Sequence, residues 1–207
     1  MSLPESLFLL SLRPDKGRLD DDSAAVRGSL LRSAALAELR LRGLLRDHDG
    51  HPERTDAAPA QPLEPFLTEV LDDVRPDRRH GWFELVHNRS DKAEATVRDQ
   101  LAANRTIIVE THRVLGLLPT QRLTLTDPTP VEALRDRVRR ALHQDAPIED
   151  ALLAVLAADG NVSTVYRWRD LRGQSSALRA LRQRIDRELT GLRPATEAAI
   201  AVQRSPA

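Results

Sequence analysis

The chain has 207 residues, of which 41% are hydrophobic, 30% are charged and only 3% are aromatic. This length is enough for one sizeable core, and this apolar share is typical of a folded protein. Basic and acidic residues number 31 each, so no net charge attracts nucleic acid, and we expect no nucleic-acid partner. The chain has no cysteine, which excludes disulfides, thiolate metal sites and a catalytic thiol.

The scarcity of aromatic residues also restricts the fold class. A core without them is built from leucine, valine, isoleucine and alanine, and this composition favours helices over a β-sandwich or barrel. No apolar run is long enough to span a bilayer, and the apolar stretch at residues 7–10 is too short for a signal peptide. We therefore expect a mainly α-helical protein that resides in the cytoplasm.

The first predicted elements are two helices and a loop. Residues 3–12 form the first helix, and a turn follows at residues 15–17. The acidic residues 20–22 and Ser23 supply cap residues for a second helix, which runs to about Gly43. Residues 47–61 combine proline, glycine and small polar residues, which predicts a surface loop.

The most informative stretch is LLRSAALAELRLRGLL at residues 30–45, within the second helix. Leu36 and Leu39 follow Arg32 by four and seven residues, so Arg32 lies on an apolar face that is separate from the main apolar stripe. A helix that is apolar on two faces is usually buried, and a buried arginine needs a partner. Arg32 therefore either pairs with a carboxylate, Glu38 or a more distant acid, or lines a pocket for an anion.

The middle of the chain contains two further helices and a β-hairpin. One helix, marked by Phe66 and Val70, ends before Pro76, and a second runs from Ser90 to about residue 104. Residues 106–111 and 122–126 are β-branched or alternate with period two, which predicts two paired strands.

The connection of this hairpin is apolar, where turns are normally polar. Its tip residues Leu115, Leu117 and Leu118 would promote aggregation if they stayed exposed. We expect them either to insert into a membrane interface or to pack against the body of the protein or another copy of the chain.

Four helices are predicted after the hairpin. The first begins at a capping box formed by Thr129 and Glu132, and the second is the apolar stretch at residues 151–158. A long amphipathic helix follows Ser175 or Ser176, and a short helix begins at Pro194.

No motif indicates an enzyme or a cofactor site. The chain has no phosphate-cradling glycine loop and no nucleophile elbow. The sequence DHDGH at residues 47–51 is better explained as a solvated loop than as a metal site. The segment RWRDLR at residues 167–172 could contact phosphates, although a solvated basic face with an internal ion pair explains it better. We therefore predict no catalytic residues, no metal and no cofactor.

The order of several segments resembles the Golgi phosphoprotein 3 family. LPESLFLLSL at residues 3–12 is followed by a Lys16-Gly17 turn and by LAELRLRGLL; PFLTEVL, GWFEL, TVRDQL, the hairpin and the apolar 151–158 segment come later. The resemblance covers residues 3–203 and implies one mainly α-helical domain with a protruding β-hairpin. It also implies a peripheral membrane protein whose pocket binds a phosphoinositide headgroup and whose hairpin supports oligomerisation or membrane contact.

The resemblance further implies which residues line that pocket, which in the family uses a tryptophan and three arginines. Counting back from the Arg42-Gly43 pair places one arginine at Arg32, with Arg27 as a rival, and another arginine falls at Arg98. The remaining arginine position holds Ala95, and the tryptophan position holds Ser23. We expect an anionic lipid such as phosphatidylinositol 4-phosphate to bind these arginines. The alternative is a protein–protein adaptor that forms homo-oligomers through the hairpin and in which the arginines are structural.

Overall fold

The computed structural model describes residues 1–113 and 119–205. Its helices are, in chain order, α1 (Leu3–Leu10), α2 (Arg27–Leu41), α3 (Pro65–Asp73), α4 (Trp82–His87), α5 (Ser90–Ala103), α6 (Thr129–Arg140), α7 (Ile148–Asp159), α8 (Ser175–Glu188) and α9 (Leu192–Arg204). Its strands are β1 (Leu12–Arg13), β2 (Arg18–Leu19), β3 (Leu45–His48), β4 (His51–Arg54), β5 (Ile107–Arg113) and β6 (Pro119–Leu125). The predicted mainly α-helical fold with a β-hairpin is confirmed.

Helix α2 lies at the centre of the helical core. It contacts α1, α3, α4, α5, α7 and α9. Leu30, Leu31, Leu36 and Leu39 are all fully buried, so the helix is buried on both of its apolar faces, as the sequence predicts. Because α2 has neighbours on every side, any polar side chain on it must find its partners inside the protein.

Helices α2 and α5 approach each other very closely at Gly28. A Cβ atom at this position would lie only 1.9 Å from the backbone oxygen of Ser90. Glycine is therefore required here for packing, because any side chain would push the two helices apart. This close approach brings the first turn of α2 against the first turns of α5.

The predicted loop at residues 47–61 is wrong in its first half, where β3 and β4 form an antiparallel hairpin. Asp49 and Gly50 occupy its two-residue turn with φ angles of 51° and 79°. Positive φ at both turn positions is the geometry of a tight hairpin, for which Asp-Gly is a preferred pair. The flanking strands are too polar to show hydrophobic alternation, so the sequence pattern did not reveal them. Trp82 Nε1 donates a hydrogen bond to Asp47 Oδ1 at 2.6 Å and ties the hairpin to α4.

Helix capping was also predicted incorrectly at two helix starts. Helix α2 begins at Arg27 after Val26, which makes no side-chain cap, and Asp20 instead accepts hydrogen bonds from Ser23. Helix α6 begins at Thr129, but its first backbone N–H donates to Asp127 Oδ1 at 2.9 Å. Acidic and hydroxyl residues do lie near both helix starts, but Asp20 binds Ser23 in the preceding loop, and at α6 Asp127, not Thr129, accepts from the first helical N–H.

Strands β5 and β6 form the longest ladder, which pairs Ile107 with Leu125 and extends to Arg113 opposite Pro119. Ile107 is buried against the core, whereas Ile108 on the other face is 52% exposed. The predicted contact residues Leu115, Leu117 and Leu118 lie outside the described residues. Across residues 1–113 and 119–205, no helix combines the length and the apolar character needed to cross a membrane.

Candidate functional site

Arg32 is fully buried on α2, and two of its three guanidinium nitrogens have partners. Nε donates to the backbone oxygen of Leu85 at 2.5 Å, and Nη2 donates to Asp73 Oδ2 at 2.8 Å. Asp73 is the last residue of α3, and its other oxygen accepts a hydrogen bond from Arg89 Nη1 at 3.0 Å. The predicted carboxylate partner of Arg32 therefore exists, and it is Asp73. Glu38 instead accepts hydrogen bonds from the Leu3 backbone N–H and from Arg42.

The third nitrogen of Arg32, Nη1, is buried and has no hydrogen-bond partner among the described residues. Arginine presents five N–H donors, and nearly all buried donors in proteins are satisfied. An unsatisfied buried donor costs about 1–3 kcal/mol. This nitrogen is therefore the one part of the buried guanidinium group that no described residue satisfies.

A cavity of about 450 Å³ opens beside Arg32. Its other charged lining residues, apart from His80, are the arginines Arg75, Arg78 and Arg89 and the carboxylates Asp72, Asp73 and Glu84. Four guanidinium groups, counting that of Arg32, thus face three carboxylates, which leaves one positive charge in excess when His80 is neutral.

The arginines at the rim of this cavity form exposed ion pairs. Arg78 lies 2.6 Å from Glu84, Arg75 lies 2.6 Å from Asp77, and their side chains are 60% and 61% exposed. The hydrogen bond to Asp77 raises the pKa of Arg75, and the hydrogen bond to Asp73 raises the pKa of Arg89. Exposed ion pairs of this kind are weak because water and salt screen them, so a bound anion can compete for these guanidinium groups.

Arg27, the rival candidate, is also buried but is fully partnered. Nε donates to Ser23 Oγ at 3.2 Å, Nη1 donates to Glu94 Oε2 at 2.7 Å, and Nη2 donates to the backbone oxygen of Asp20. The buried carboxylate of Asp20 lies 3.6 Å from Nη2. Every nitrogen of this side chain therefore has an acceptor within the protein, and its charge is balanced by two carboxylates.

Arg98 lies on α5, where its side chain is 25% exposed. Nε and Nη2 contact Asp99 at 2.8 and 2.7 Å, and Nη1 donates to Gln121 Oε1 at 2.7 Å. Glu94 and Arg98 are one helical turn apart on the same face of α5. Because Glu94 binds Arg27, the structure brings Arg27 and Arg98 to one face of α5 and places Arg32 at a separate cavity.

Sequence reasoning did not identify Asp73, Arg75, Arg78 or Arg89, which surround the Arg32 cavity. A signal was present in RPDRRH at residues 75–80, a densely charged run between two helices. The sequence pattern assigns Pro76 only the role of ending a helix. Within the described ranges, no group of three or more histidine, aspartate or glutamate side chains could hold a metal ion.

Comparison with known proteins identifies the family of the chain. No curated protein matches it. A model of the Golgi phosphoprotein 3 (GPP34) family matches residues 3–203, which is nearly the whole chain. The segments that suggested this resemblance thus belong to a match that spans every helix from α1 to α8 and nearly all of α9. The chain belongs to the Golgi phosphoprotein 3 (GPP34) family.

Proposed function

We propose that this protein is a peripheral membrane protein that binds an anionic, phosphorylated lipid headgroup in the cavity beside Arg32. The family resemblance makes phosphatidylinositol 4-phosphate the first candidate lipid, at the cytoplasmic face of a membrane. The observation that carries this proposal is the buried Nη1 of Arg32, which lacks an acceptor among the described residues. A phosphate oxygen is an acceptor that a guanidinium group binds well.

The charges around the cavity support a phosphorylated ligand. Arg75, Arg78 and Arg89 line it with exposed or half-exposed guanidinium groups. A phosphate that reaches Arg32 would exchange their weak surface ion pairs for charge-assisted hydrogen bonds. Asp73 would continue to hold Arg32 in place, because it contacts Nη2 and leaves Nη1 free. Arg27 and Arg98 line a different surface, so they form the competing location for the same ligand.

The expected affinity for membranes is modest. Each basic residue near an anionic surface contributes about 1 kcal/mol, and this contribution weakens with salt. If Leu115, Leu117 and Leu118 enter the interface, each adds roughly 1.5–3 kcal/mol before the cost of ordering the hairpin. Such binding is reversible for one copy, and several copies acting together would strengthen it.

A vesicle flotation assay tests the proposal and locates the site. Wild-type protein should float with vesicles that contain phosphatidylinositol 4-phosphate and should float less with vesicles that contain phosphatidylinositol. The double variant Arg78→Ala/Arg89→Ala should lose most of this preference, because it removes two rim guanidinium groups without touching buried Arg32. Arg187→Ala is the matched control, since Arg187 is an exposed arginine on α8 outside the cavity.

The outcomes separate the function from its location. If the wild type shows no lipid-dependent flotation, the proposed function is wrong. If Arg98→Ala abolishes the preference and the Arg78→Ala/Arg89→Ala variant keeps it, the headgroup binds at the Arg27–Arg98 face and not at Arg32.

One observation favours the adaptor function as a second candidate. Ile108 is 52% exposed on β5, so this large apolar side chain is left uncovered within one copy of the chain. A second copy that packs on this face of the hairpin would cover it. Size-exclusion chromatography of Ile108→Asp tests this function: loss of a wild-type oligomer with unchanged lipid flotation would favour an adaptor over a membrane contact at this face.

A further inference from the structure

A second and larger cavity, of about 910 Å³, lies on another part of the molecule. Four segments line it: residues 12–15 after α1, Asp22 before α2, one face of α6, and the connection at residues 163–170 between α7 and α8. It contains none of the residues of the Arg32 cavity, and nothing in the family match assigns it a role.

Two half-exposed arginines one helical turn apart, Arg135 and Arg139, line this cavity from α6. Arg139 donates from Nε to Val165 O at 3.0 Å and from Nη2 to Thr164 O at 3.1 Å. Arg135 donates from Nη2 to the backbone oxygen of Leu12. Both guanidinium groups thus join α6 to neighbouring segments through neutral carbonyl groups, which do not balance their charge.

Of the two arginines, Arg135 has the less compensated charge. It forms no ion pair with any described residue, and its Nε is buried without a hydrogen-bond partner. Burial and the nearby charge of Arg139 lower the pKa of Arg135, which means that its cationic form lacks full compensation. Among residues 1–113 and 119–205, Arg139 forms one ion pair, with Asp136 at 4.0 Å. Arg135 therefore offers a donor and a positive charge to an anionic group.

The rim of the cavity has the opposite charge. We call the exposed carboxylates of the lining its acidic rim: Asp15, Asp22, Glu132, Asp136 and Asp170. The lining arginines are Arg13, Arg135, Arg139 and Arg167, of which Arg139 and Arg167 are also exposed. Four positive and five negative groups leave the lining close to neutral. A multiply charged anion would be repelled by the rim, while a ligand that carries both a phosphate and an ammonium group matches both parts of the lining.

An exposed tryptophan directly follows a residue of the cavity lining along the chain. Trp168 is 66% exposed and follows Arg167, which lines the cavity. The guanidinium carbon of Arg172 lies 3.8 Å from the centre of its ring. Tryptophan is enriched at membrane–water interfaces, and arginine is attracted to anionic headgroups, so this pair suits contact with a lipid surface. The predicted ion pair within residues 167–172 is absent from the described contacts, and Asp170 instead accepts from the Arg167 backbone N–H.

We propose that this cavity binds a phosphoethanolamine group. Its phosphate contacts Arg135 and Arg139, and its ammonium group contacts the carboxylates at the rim. Phosphatidylethanolamine in a membrane and free phosphoethanolamine carry the same group, and Trp168 favours the lipid. This site is independent of the headgroup site at Arg32.

Calorimetric titration tests the ligand chemistry with two probes, phosphoethanolamine and glycerol 3-phosphate, which lacks the ammonium group. Wild-type protein should bind phosphoethanolamine more tightly. Arg135→Gln should weaken binding of phosphoethanolamine about ten-fold, because it removes a charge-assisted contact to the phosphate. Arg140→Gln is the matched control, because Arg140 is exposed on the same helix and does not line the cavity.

A rim variant keeps the test valid if Arg135→Gln fails to fold. Asp22 and Glu132 are both exposed, so Asp22→Asn/Glu132→Gln should fold normally. This variant should bind phosphoethanolamine about two- to five-fold more weakly than the wild type, and it should bind glycerol 3-phosphate more tightly. The affinities for the two probes should therefore change in opposite directions. Equal changes for both probes, or no binding of phosphoethanolamine by the wild type, would overturn the proposal.

Vesicle flotation then shows whether the phosphoethanolamine group belongs to membrane phosphatidylethanolamine or to the free compound. If the ligand is the lipid, the wild type should float more with vesicles of phosphatidylcholine and phosphatidylethanolamine than with phosphatidylcholine alone, and Trp168→Ala should reduce this difference. If titration detects phosphoethanolamine binding but flotation shows no phosphatidylethanolamine preference, the site takes the free compound. Neither vesicle contains a phosphoinositide, so failure here leaves the Arg32 proposal untouched.

Discussion

Arg27 and Arg32 lie five residues apart on the same helix and are 3% and 0% exposed, yet their surroundings differ. Arg27 has an acceptor for each nitrogen and two carboxylates near its charge. Arg32 has one carboxylate and a buried Nη1 with no acceptor in the described ranges. Burial of an arginine therefore does not by itself indicate a binding site. A structural arginine has an acceptor for every guanidinium nitrogen, whereas an arginine that can receive a ligand has a nitrogen without one.

The position of each arginine on α2 explains the difference. Five residues along an α-helix rotate a side chain by about 140°, so the two guanidinium groups face different neighbours. Arg27 faces the loop at Asp20 and Glu94 on α5, where acidic side chains are plentiful. Arg32 faces the ends of α3 and α4, where it meets one carboxylate and one backbone carbonyl.

The largest expected effect comes from Arg27→Met. This change leaves the buried carboxylate of Asp20 without its cation, which should lower the free energy of unfolding by about 3–5 kcal/mol. Urea denaturation measures it. Arg18→Met serves as the control, because Arg18 pairs with Asp21 at the surface and should lose no more than about 1 kcal/mol. Equal losses for the two variants would show that Arg27 is not a structural ion pair.

Gly28→Ala tests the packing that holds Arg27 against α5. The new methyl group would meet the backbone oxygen of Ser90, so the helices must separate, at a cost of about 3 kcal/mol. Gly81→Ala is a suitable control, because nothing lies within 4 Å of a Cβ at that position. A thermal unfolding series would reveal the difference. If Gly28→Ala is as stable as Gly81→Ala, the close approach of α2 and α5 is wrong.

Arg32→Met should cost less than Arg27→Met, about 1–2 kcal/mol. Asp73 keeps its hydrogen bond to Arg89 and is 21% exposed, and the change also removes a buried donor without a partner. The same denaturation assay ranks the two variants. A larger loss for Arg32→Met than for Arg27→Met would reverse the assignment of the structural and the ligand-binding arginine.

The smallest effect concerns Glu38, the buried acid at the other end of α2. Burial raises its pKa above the usual 4.5, and the Leu3 N–H and Arg42 oppose this shift. The folded state therefore binds this proton more tightly than the unfolded chain, so the contribution of Glu38 to stability falls as pH rises from 4.5 through the raised pKa. Glu38→Gln should make the free energy of unfolding depend less on pH just above pH 4.5. An unchanged curve would contradict the raised pKa.

The sequence predicted the burial of Arg32 and its need for a partner, either a carboxylate or an external anion, because helical periodicity is local and strong in residues 30–45. It could not select Asp73, which is 41 residues away and reaches Arg32 only because α3 ends beside α2. The cavity arginines were missed for the same reason: Arg75, Arg78 and Arg89 lie near Arg32 only in the folded chain.

The positions of Arg27 and Arg98 show a different limit of prediction from the sequence. The sequence predicted both residues as candidates for headgroup binding, but it also placed Arg98 in the same pocket as Arg32. The rotation of each side chain around its helix, and the glycine that lets α2 and α5 touch, decide which arginines lie on the same face. Neither follows from spacing along the chain alone.

The most direct test of the central claim is nitrogen-15 NMR of the arginine side chains during titration with inositol 1,4-bisphosphate, the free headgroup of phosphatidylinositol 4-phosphate. Arg32 Nε–H is hydrogen-bonded to Leu85 O and fully buried, so its resonance should be protected from exchange and observable. We predict that the signals of Arg32, Arg78 and Arg89 shift in a saturable manner while that of Arg27 stays in place. A saturable shift of Arg27 and Arg98, with Arg32 unchanged, would contradict the account.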